Sequence, residues 1–207
     1  MDRGKFITVE GGEGVGKSTN IELVCELIRR NGHPVLQTRE PGGTPMAERI
    51  RAMLLEHGDE ALPDDADLLL FFAARSLHIN NVIRPALEAG TWVVCDRFTD
   101  TTRAYQGGGR GLDRARIETL AEWVHGDLQP DLTVLLDAPP EVGMGRAEKR
   151  GDTDRLETER AEFHGRVRET YLGQAAAEPR RFAVVDAGQP LSRVRADIEQ
   201  AMRRILD

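Results

Sequence analysis

Long apolar runs are missing from this sequence. The longest, residues 68–74, is far shorter than the roughly 20 residues that a membrane-spanning helix needs. The first residues, 1–12, contain no extended apolar stretch followed by a small-residue cleavage site, so they do not resemble a secretory signal. We therefore expect a cytoplasmic protein that does not enter a membrane.

Cysteine is also scarce. Cys25 and Cys95 are the two cysteines, and neither has metal-ligand spacing to a second cysteine or a histidine. The five histidines do not form the H-E-x-x-H pattern of a zinc site. We expect both cysteines to be reduced core residues, because free cysteine packs as a small apolar side chain.

Lysine is nearly absent, since Lys5, Lys17 and Lys149 are the only lysines and every other basic residue is arginine. The net charge is −7 and the isoelectric point is about 5.4. Such a charge argues against a protein that coats nucleic acid or an anionic membrane through its overall field. The scarcity gives weight to Lys17, which lies in a glycine-rich loop.

The length and the balance of residues indicate one folded domain over residues 1–207. Hydrophobic residues make up 40% and charged residues 30% of the 207 positions, which is enough apolar material for a core. No linker, internal repeat or low-complexity tract divides the chain.

Apolar runs typical of strands alternate with patterns typical of helices. Strands are predicted at residues 5–10, 35–38, 91–95, 132–136 and 182–185. Helices are predicted at residues 18–30 and 45–55, and a long one begins near Asp64 and Asp65 and is kinked or ended by Pro85. This alternation favours an α/β fold with three α/β/α layers and a doubly wound sheet of about five parallel strands.

The segment that follows the first predicted strand carries the clearest chemical signal. Residues 11–18 (GGEGVGKS) fit G-x-x-x-x-G-K-[ST] between a strand and a helix, which is the context of the P-loop. Glycines let backbone N–H groups converge on phosphate oxygens at the helix N-terminus, Lys17 adds a charge, and the Ser18 hydroxyl can bind Mg²⁺. The predicted nucleoside triphosphate-binding residues are Gly11, Gly12, Glu13, Gly14, Val15, Gly16, Lys17, Ser18 and Thr19.

A P-loop alone leaves several functions open. The chain has no N-K-x-D segment and no D-x-x-G after the P-loop, so a GTPase is disfavoured. A kinase for a nucleoside monophosphate or a deoxynucleoside remains possible, and so does a non-catalytic switch that binds ATP. Transfer to an added acceptor would separate these alternatives.

The P-loop and six further motifs follow one another along the chain. They are residues 8–19 (TVEGGEGVGKST), 39–44 (REPGGT), 70–75 (LFFAAR), 96–98 (DRF), 104–111 (AYQGGGRG), 130–132 (PDL) and the arginine-rich segment 146–155. Taken together they resemble the thymidylate kinase family nearly from end to end. The resemblance implies phosphoryl transfer from ATP to thymidine monophosphate with Mg²⁺, in a homodimer built on helices that include residues 68–82.

The resemblance also assigns residues to the acceptor, thymidine monophosphate. Phe71 and Arg75 are four apart on a helix, so a stacking ring and a donor fork can face one base, although a core phenylalanine and a surface ion pair would show the same spacing. The remaining acceptor residues that the resemblance implies are Glu13 at the sugar, Arg39 and Arg97 at the phosphate, and Thr102 and Tyr105 near the base and deoxyribose. A cis bond at Pro41 is an option that the sequence leaves open.

A lid over residues 145–157 is the last feature that the resemblance implies. The family places a catalytic arginine either in the P-loop or in this lid, and Gly14 at the P-loop position indicates the lid type. Arg150 is the predicted catalytic arginine, with Arg146 and Arg155 supporting it at ATP. The catalytic set is then Lys17, Asp96, Arg97 and Arg150, with Ser18 and Asp96 at the metal.

Overall fold

A parallel sheet organises the computed structural model, which describes residues 3–56, 62–148 and 160–206. Within these residues the five strands lie in the order β2-β3-β1-β4-β5, and every neighbouring pair is parallel. The strands are β1 (Phe6–Gly11), β2 (Val35–Arg39), β3 (Trp92–Asp96), β4 (Leu132–Asp137) and β5 (Phe182–Asp186).

Helices join the strands on both faces of the sheet. They are α1 (Lys17–Arg30), α2 (Pro45–Leu55), α3 (Asp64–His78), α4 (Arg84–Glu88), α5 (Thr99–Thr102), α6 (Arg114–His125), α7 (Pro140–Glu148), α8 (Ala161–Ala177) and α9 (Leu191–Leu206). A first π-helical segment (Ile79–Ile83) joins α3 to α4, and a second (Arg103–Gly109) follows α5.

The two faces of β1 bury separate cores, because successive strand residues point to opposite sides of a sheet. Ile7 and Val9 pack in a cluster with Ile21 of α1 and Ile198 of α9. Phe6 packs on the other face with residues of the first π-helical segment and α4. This arrangement confirms the predicted three layers.

Each strand ends one residue later than its apolar pattern predicts. The added residues are polar or glycine, and pairing continues through them: Arg39 lies opposite Asp96, and Asp137 opposite Asp186. A hydrophobic pattern cannot show this, because these residues belong to the backbone ladder while their side chains reach the carboxyl edge of the sheet. That edge is where ligands bind in doubly wound folds.

The helix that contains residue 85 continues past it. The first π-helical segment ends two residues before Pro85, which lies in the first turn of α4. Proline offers no amide hydrogen to the preceding turn, so a widened turn lets the helical path continue across it. Asp64 and Asp65 lie in the first turn of α3, and no side chain caps that helix. In the part of the chain that the structure describes, no helix is long and apolar enough to cross a membrane.

Candidate active site

The P-loop lies between β1 and α1, as predicted. Gly14 and Gly16 have φ angles of 65° and 86°, a conformation that side-chain-bearing residues rarely adopt. A Cβ atom on Gly14 would lie 1.9 Å from the carbonyl oxygen of Gly143 in α7, so the loop and α7 touch through backbone. No side chain caps the start of α1, which leaves this positive helix end available to an anion.

Lys17 folds back over the P-loop. Its Nζ atom donates to the carbonyl oxygens of Gly12 at 2.6 Å and Gly11 at 3.2 Å. Burial lowers the pKa of this ammonium, and the nearby Arg97 lowers it further, although Glu13 and Asp96 oppose both effects. A phosphate bound at the P-loop would be an anionic partner for this buried ammonium.

A cavity of about 420 Å³ extends from the P-loop across the carboxyl edge of the sheet. Its volume is within the range of small-molecule sites, roughly 300–1,000 Å³. It is lined by Glu13, Gly14, Gly16, Lys17, Ser18, Thr19, Arg39, Glu40, Pro41, Arg51, Leu55, Phe71, Asp96, Arg97, Thr101, Tyr105, Gln106 and Arg146. Cations therefore border both ends of one continuous space, and an aromatic ring borders the end away from the P-loop.

Arg97 links the P-loop to the second π-helical segment. Its Nη2 donates to Glu13 Oε1 at 2.6 Å, its Nη1 donates to the Gly11 carbonyl at 3.1 Å, and its guanidinium lies 5.0 Å from the centre of the Tyr105 ring. Tyr105 Oη also donates to Glu13 Oε1 at 2.6 Å. Burial alone would lower the pKa of Arg97, but Glu13 and the other neighbouring groups raise it well above its usual range. Arg97 is thus a permanent, prepositioned cation.

The backbone at Arg97 is unusual. Its φ of 66° is the only positive value among non-glycine residues in the described part of the chain. For a residue with a Cβ atom this left-handed conformation costs about 1–2 kcal/mol. This left-handed turn directly after β3 brings the Arg97 side chain back over the P-loop. The strained backbone conformation therefore sets the position of the guanidinium.

Asp96 and Ser18 border the same part of the cavity. Asp96 ends β3, and its Oδ1 atom is buried without a hydrogen-bond partner in the described residues. Ser18 is exposed in the first turn of α1 and lines this cavity and an adjoining cleft together with Asp96. An unsatisfied carboxylate oxygen beside a hydroxyl is the kind of oxygen set that Mg²⁺ binds, usually with several waters and phosphate oxygens.

The loop after β2 brings basic groups to the far wall. The Glu40–Pro41 bond is cis. Arg39 Nη1 and Arg51 Nη1 each donate to the Pro41 carbonyl at 3.0 Å, and Arg39 Nη2 donates to Glu48 Oε2 at 2.9 Å. The loop thereby places Arg39 and Arg51 on the cavity wall.

Phe71 and Arg75 differ in how they meet the cavity. Phe71 is 6% exposed and its ring lines the cavity wall. Arg75 lies one helical turn further, 2% exposed and behind the lining residues, with Nε donating to Glu40 Oε2 at 2.6 Å. The structure therefore places Phe71 on the cavity wall, while Arg75 is outside the lining and is bonded to the lining residue Glu40.

A buried carboxylate at the base of the site, Glu10, lies inside the motif of residues 8–19 but was given no predicted role. Glu10 of β1 accepts from the Phe98 amide at 2.8 Å, from Thr101 Oγ1 at 2.5 Å and from Tyr171 Oη at 3.1 Å. Burial and the nearby Asp100 charge raise its pKa to about 7, although the two hydroxyl donors work against them. These partners are far apart in the chain, and only the fold brings them together.

Of the other predicted site residues, Arg146 lines the cavity and Thr102 does not. Arg146 borders the cavity and donates through Nη1 to the Ala187 carbonyl at 3.0 Å. Thr102 is buried outside the cavity lining, and its neighbour Thr101 lines the cavity instead. Arg150 and Arg155, together with most of the predicted lid, lie outside the described residues.

Six lining residues were not predicted to bind: Glu40, Pro41, Arg51, Leu55, Thr101 and Gln106. Glu40 and Gln106 lie inside the motifs REPGGT and AYQGGGRG, so those motifs held a usable signal. Gln106 Nε2 donates to Asp67 at 3.1 Å, and its Oε1 has no partner among the described residues. Arg51 and Thr101 reach the cavity through helix packing that no short motif encodes.

Comparison with known proteins identifies similar chains over almost the whole length. A family model described as Thymidylate kinase matches residues 9–198. A thymidylate kinase of Pseudomonas savastanoi pv. phaseolicola is 55% identical over 99% of this chain and 97% of its own, and one of Chromohalobacter salexigens is 58% identical over 96% and 94%. The crystal structure of thymidylate kinase from Ehrlichia chaffeensis superimposes with a TM-score of 0.78 at 31% identity, covering 97% of this chain and 99% of that one.

Proposed function

The chain belongs to the thymidylate kinase family and phosphorylates thymidine monophosphate with ATP, giving thymidine diphosphate and ADP, and we propose that its 420 Å³ cavity holds both nucleotides end to end. The observation that carries this proposal is that one space joins the P-loop to the wall of Phe71, with Arg97 between them. A phosphoryl group can then pass from donor to acceptor without leaving the cavity.

ATP occupies the P-loop end. The backbone of residues 11–19 and the start of α1 surround its phosphates, and Lys17 Nζ moves from the loop carbonyls to the β- and γ-phosphate oxygens. Arg146 lies beside the same end, where its bond to Ala187 ties α7 to the loop after β5. Arg155 of the lid supports ATP in this proposal.

Thymidine monophosphate occupies the other end. Phe71 stacks on the thymine, and Arg75 supplies a donor to it. Arg39 and Arg97 hold the acceptor phosphate, while Glu13 and Tyr105 face the sugar. Thr102 was predicted at the base and deoxyribose, but it is buried outside the cavity lining, so the proposal gives it only a supporting role beside the Tyr105 segment.

Ser18 and Asp96, whose Oδ1 has no hydrogen-bond partner within the described residues, would hold Mg²⁺. When bound, the cation would neutralise charge on the phosphates of ATP and orient them. Asp96 also anchors the turn that presents Arg97, since it pairs with Arg39 in the sheet. Loss of its carboxylate would therefore weaken metal binding while the backbone position persists.

The charge that develops during transfer requires a further cation. Phosphoryl transfer spreads negative charge over the equatorial oxygens, and cations stabilise it. The P-loop cannot supply an arginine at residue 14, because the carbonyl of Gly143 fills the space of its Cβ atom. We propose that Arg150 of the lid fills this role. When the lid, residues 145–157, closes over the site, it keeps water from the γ-phosphate.

An acceptor panel tests this assignment of substrates. ADP production is measured with ATP, Mg²⁺ and one acceptor at a time: thymidine, thymidine monophosphate, deoxyuridine monophosphate and other nucleoside monophosphates. Thymidine monophosphate should have the highest kcat/KM, with deoxyuridine monophosphate second, since one missing methyl group changes binding by about 1–3 kcal/mol. Equal turnover of a cytosine or purine acceptor would contradict the proposed base site.

We also propose that the enzyme is a cytoplasmic homodimer. Large apolar side chains are exposed on three adjoining helices: Met53 of α2 at 61%, Leu69 of α3 at 56% and Trp123 of α6 at 82%. A second copy would cover them, since such neighbouring apolar side chains mark interaction sites. Cys25 and Cys95 are free and buried, as suits a reducing compartment.

A further inference from the structure

Arg75 is held by a chain of buried polar groups that neither the motifs nor the proposed roles account for. Glu40 Oε2 accepts from Arg75 Nε at 2.6 Å, and Glu40 Oε1 lies 3.0 Å from His78 Nδ1. On the far side of the ring, His78 Nε2 lies 2.7 Å from the hydroxyl of Thr38. The chain thus runs from β2 through α3 to the loop after β2 and ends at Arg75.

Three of the four members of the chain are closed off from solvent, and Thr38 is partly buried. The side chains of Arg75, His78 and Glu40 are 2%, 0% and 3% exposed. A Cβ atom on Gly43 would lie 2.4 Å from the His78 ring, so the loop after β2 lies directly against this histidine. Buried charged groups that are paired in this way keep one geometry, because any other arrangement leaves a buried charge or donor unsatisfied.

The protonation of the chain follows from its partners. Burial by itself raises the pKa of Glu40, but Arg75 and His78 outweigh it, so the net shift of the Glu40 pKa is downward. Ionised Glu40 can only accept hydrogen bonds, so His78 Nδ1 carries a proton that points at it. On the other side of the ring, Nε2 and the Thr38 hydroxyl form the second hydrogen bond of the chain.

One buried donor of Arg75 has no partner within the described residues. Its Nε is used by Glu40, and its guanidinium lies 4.9 Å and 5.3 Å from the centres of the Phe72 and Phe98 rings. Its Nη1 is buried and has no hydrogen-bond partner among the described residues. An unsatisfied guanidinium donor at this depth is unusual, and a bound acceptor atom would satisfy it.

We propose that His78 and Glu40 are positioning residues that fix Arg75, so that its free donor meets an acceptor atom on the pyrimidine of the nucleotide. This inference rests on the proposed function, in which Arg75 serves the base. A thymine carbonyl at position 4 accepts such a donor, whereas the amino group of cytosine at that position does not. His78 thereby acts on base selection without touching the substrate.

The test compares two variants of one residue. His78→Leu removes both ring nitrogens, whereas His78→Asn keeps a donor near the place of Nδ1. With His78→Leu we expect the KM for thymidine monophosphate to rise about 10- to 100-fold, as for loss of a hydrogen bond to a charged group. The KM for ATP should stay unchanged, and the preference for thymidine over cytidine monophosphates should fall. His78→Asn should recover most of the wild-type KM.

A double-mutant cycle separates positioning from loss of fold. If His78 acts through Arg75, Arg75→Ala and the double variant Arg75→Ala/His78→Leu should have the same acceptor KM. Additive effects of the two changes would overturn the proposal. If His78→Leu does not fold, Thr38→Val is the milder variant, and a smaller rise in the same KM is expected. An unchanged KM in Thr38→Val would then overturn the proposal.

The outcome for Arg75→Ala alone tests the premise. An unchanged acceptor KM in that variant would refute the role of Arg75 at the base and leave the other parts of the proposed function in place. A raised KM for Arg75→Ala together with a wild-type KM for His78→Leu would refute only the positioning role. The two failures are therefore distinguishable in one set of rate measurements.

Discussion

Arg97 shows how one residue can combine strain, charge and position. Its left-handed backbone turns the side chain over the P-loop, where Gly11, Glu13 and Tyr105 hold it. The sequence predicted that this arginine binds the acceptor phosphate, but it could not predict the strain or the partners. Gly11 and Glu13 lie 86 and 84 residues before Arg97 in the chain, so only the fold brings them to it.

The proposed role of Arg150 also depends on one residue, because that arginine supplies a single positive charge to the transition state. Arg150→Ala should lower kcat by about a thousandfold with a much smaller change in the acceptor KM, as for arginines that act in the transition state. Steady-state rates with both substrates varied would measure this. Arg155→Ala is the matched comparison, and a change confined to KM in Arg150→Ala would contradict the role.

Glu10 gives a prediction about pH. Its pKa is raised from 4.5 to about 7 in the folded protein, so the stability linked to its protonated form is fully present below pH 4.5 and is lost as the pH rises through 7. Between these limits the wild type should lose about 3 kcal/mol of unfolding free energy relative to Glu10→Gln. Urea unfolding at pH 5 and pH 8 measures the difference.

The control for this prediction is Glu162→Gln, which changes an exposed carboxylate on α8. That variant should follow the pH dependence of the wild type. Parallel stability curves for wild type and Glu10→Gln would show that Glu10 does not titrate in this range.

At the scale of elements, the close backbone contact between α7 and the P-loop constrains the shape of the site. A Cβ atom on Gly143 would lie 2.2 Å from the carbonyl oxygen of Glu13, whereas one on Gly145 would meet nothing within 4 Å. Both glycines lie in α7, so they form a matched pair. The helix that leads into the predicted lid is thereby in direct contact with the loop that binds phosphate.

Gly143→Ala should displace the P-loop or α7 and raise the KM for ATP by about tenfold or more, since misplacement by about 1 Å can cost a hundredfold in rate. Gly145→Ala should leave that KM unchanged and stabilise α7 by about 0.5–1 kcal/mol. Rates and thermal unfolding of the two variants check both outcomes. If Gly143→Ala and Gly145→Ala have the same KM for ATP, the contact between Gly143 and the P-loop has no role in ATP binding.

The elements also show what the sequence could predict. Continuous apolar runs predicted all the strands, because a parallel sheet buried on both faces needs them. The last residue of each strand was missed, since Asp96 and Asp137 pair through backbone while their side chains are polar. The chain Thr38–His78–Glu40 was missed for a related reason: its parts lie on separate elements, and only packing brings them together.

At the scale of the whole molecule, the exposed apolar side chains of α2, α3 and α6 predict the assembly. Leu69→Glu combined with Trp123→Glu should convert a species of twice 23.0 kDa into one of 23.0 kDa, because a charge in an apolar interface is costly. Light scattering after size-exclusion chromatography measures the mass. Leu191→Glu, at an exposed position on α9, is the control that should remain dimeric.

The central claim is that one cavity holds both nucleotides, and a single ligand that joins them tests it most directly. The measurement is calorimetric titration of a compound in which adenosine and thymidine are linked through their 5′ oxygens by a chain of phosphates. The account predicts one compound bound per chain, with a Kd about a hundredfold or more below that of ATP or thymidine monophosphate alone, because linked groups bind with high effective concentration. Binding no tighter than ATP alone would contradict it.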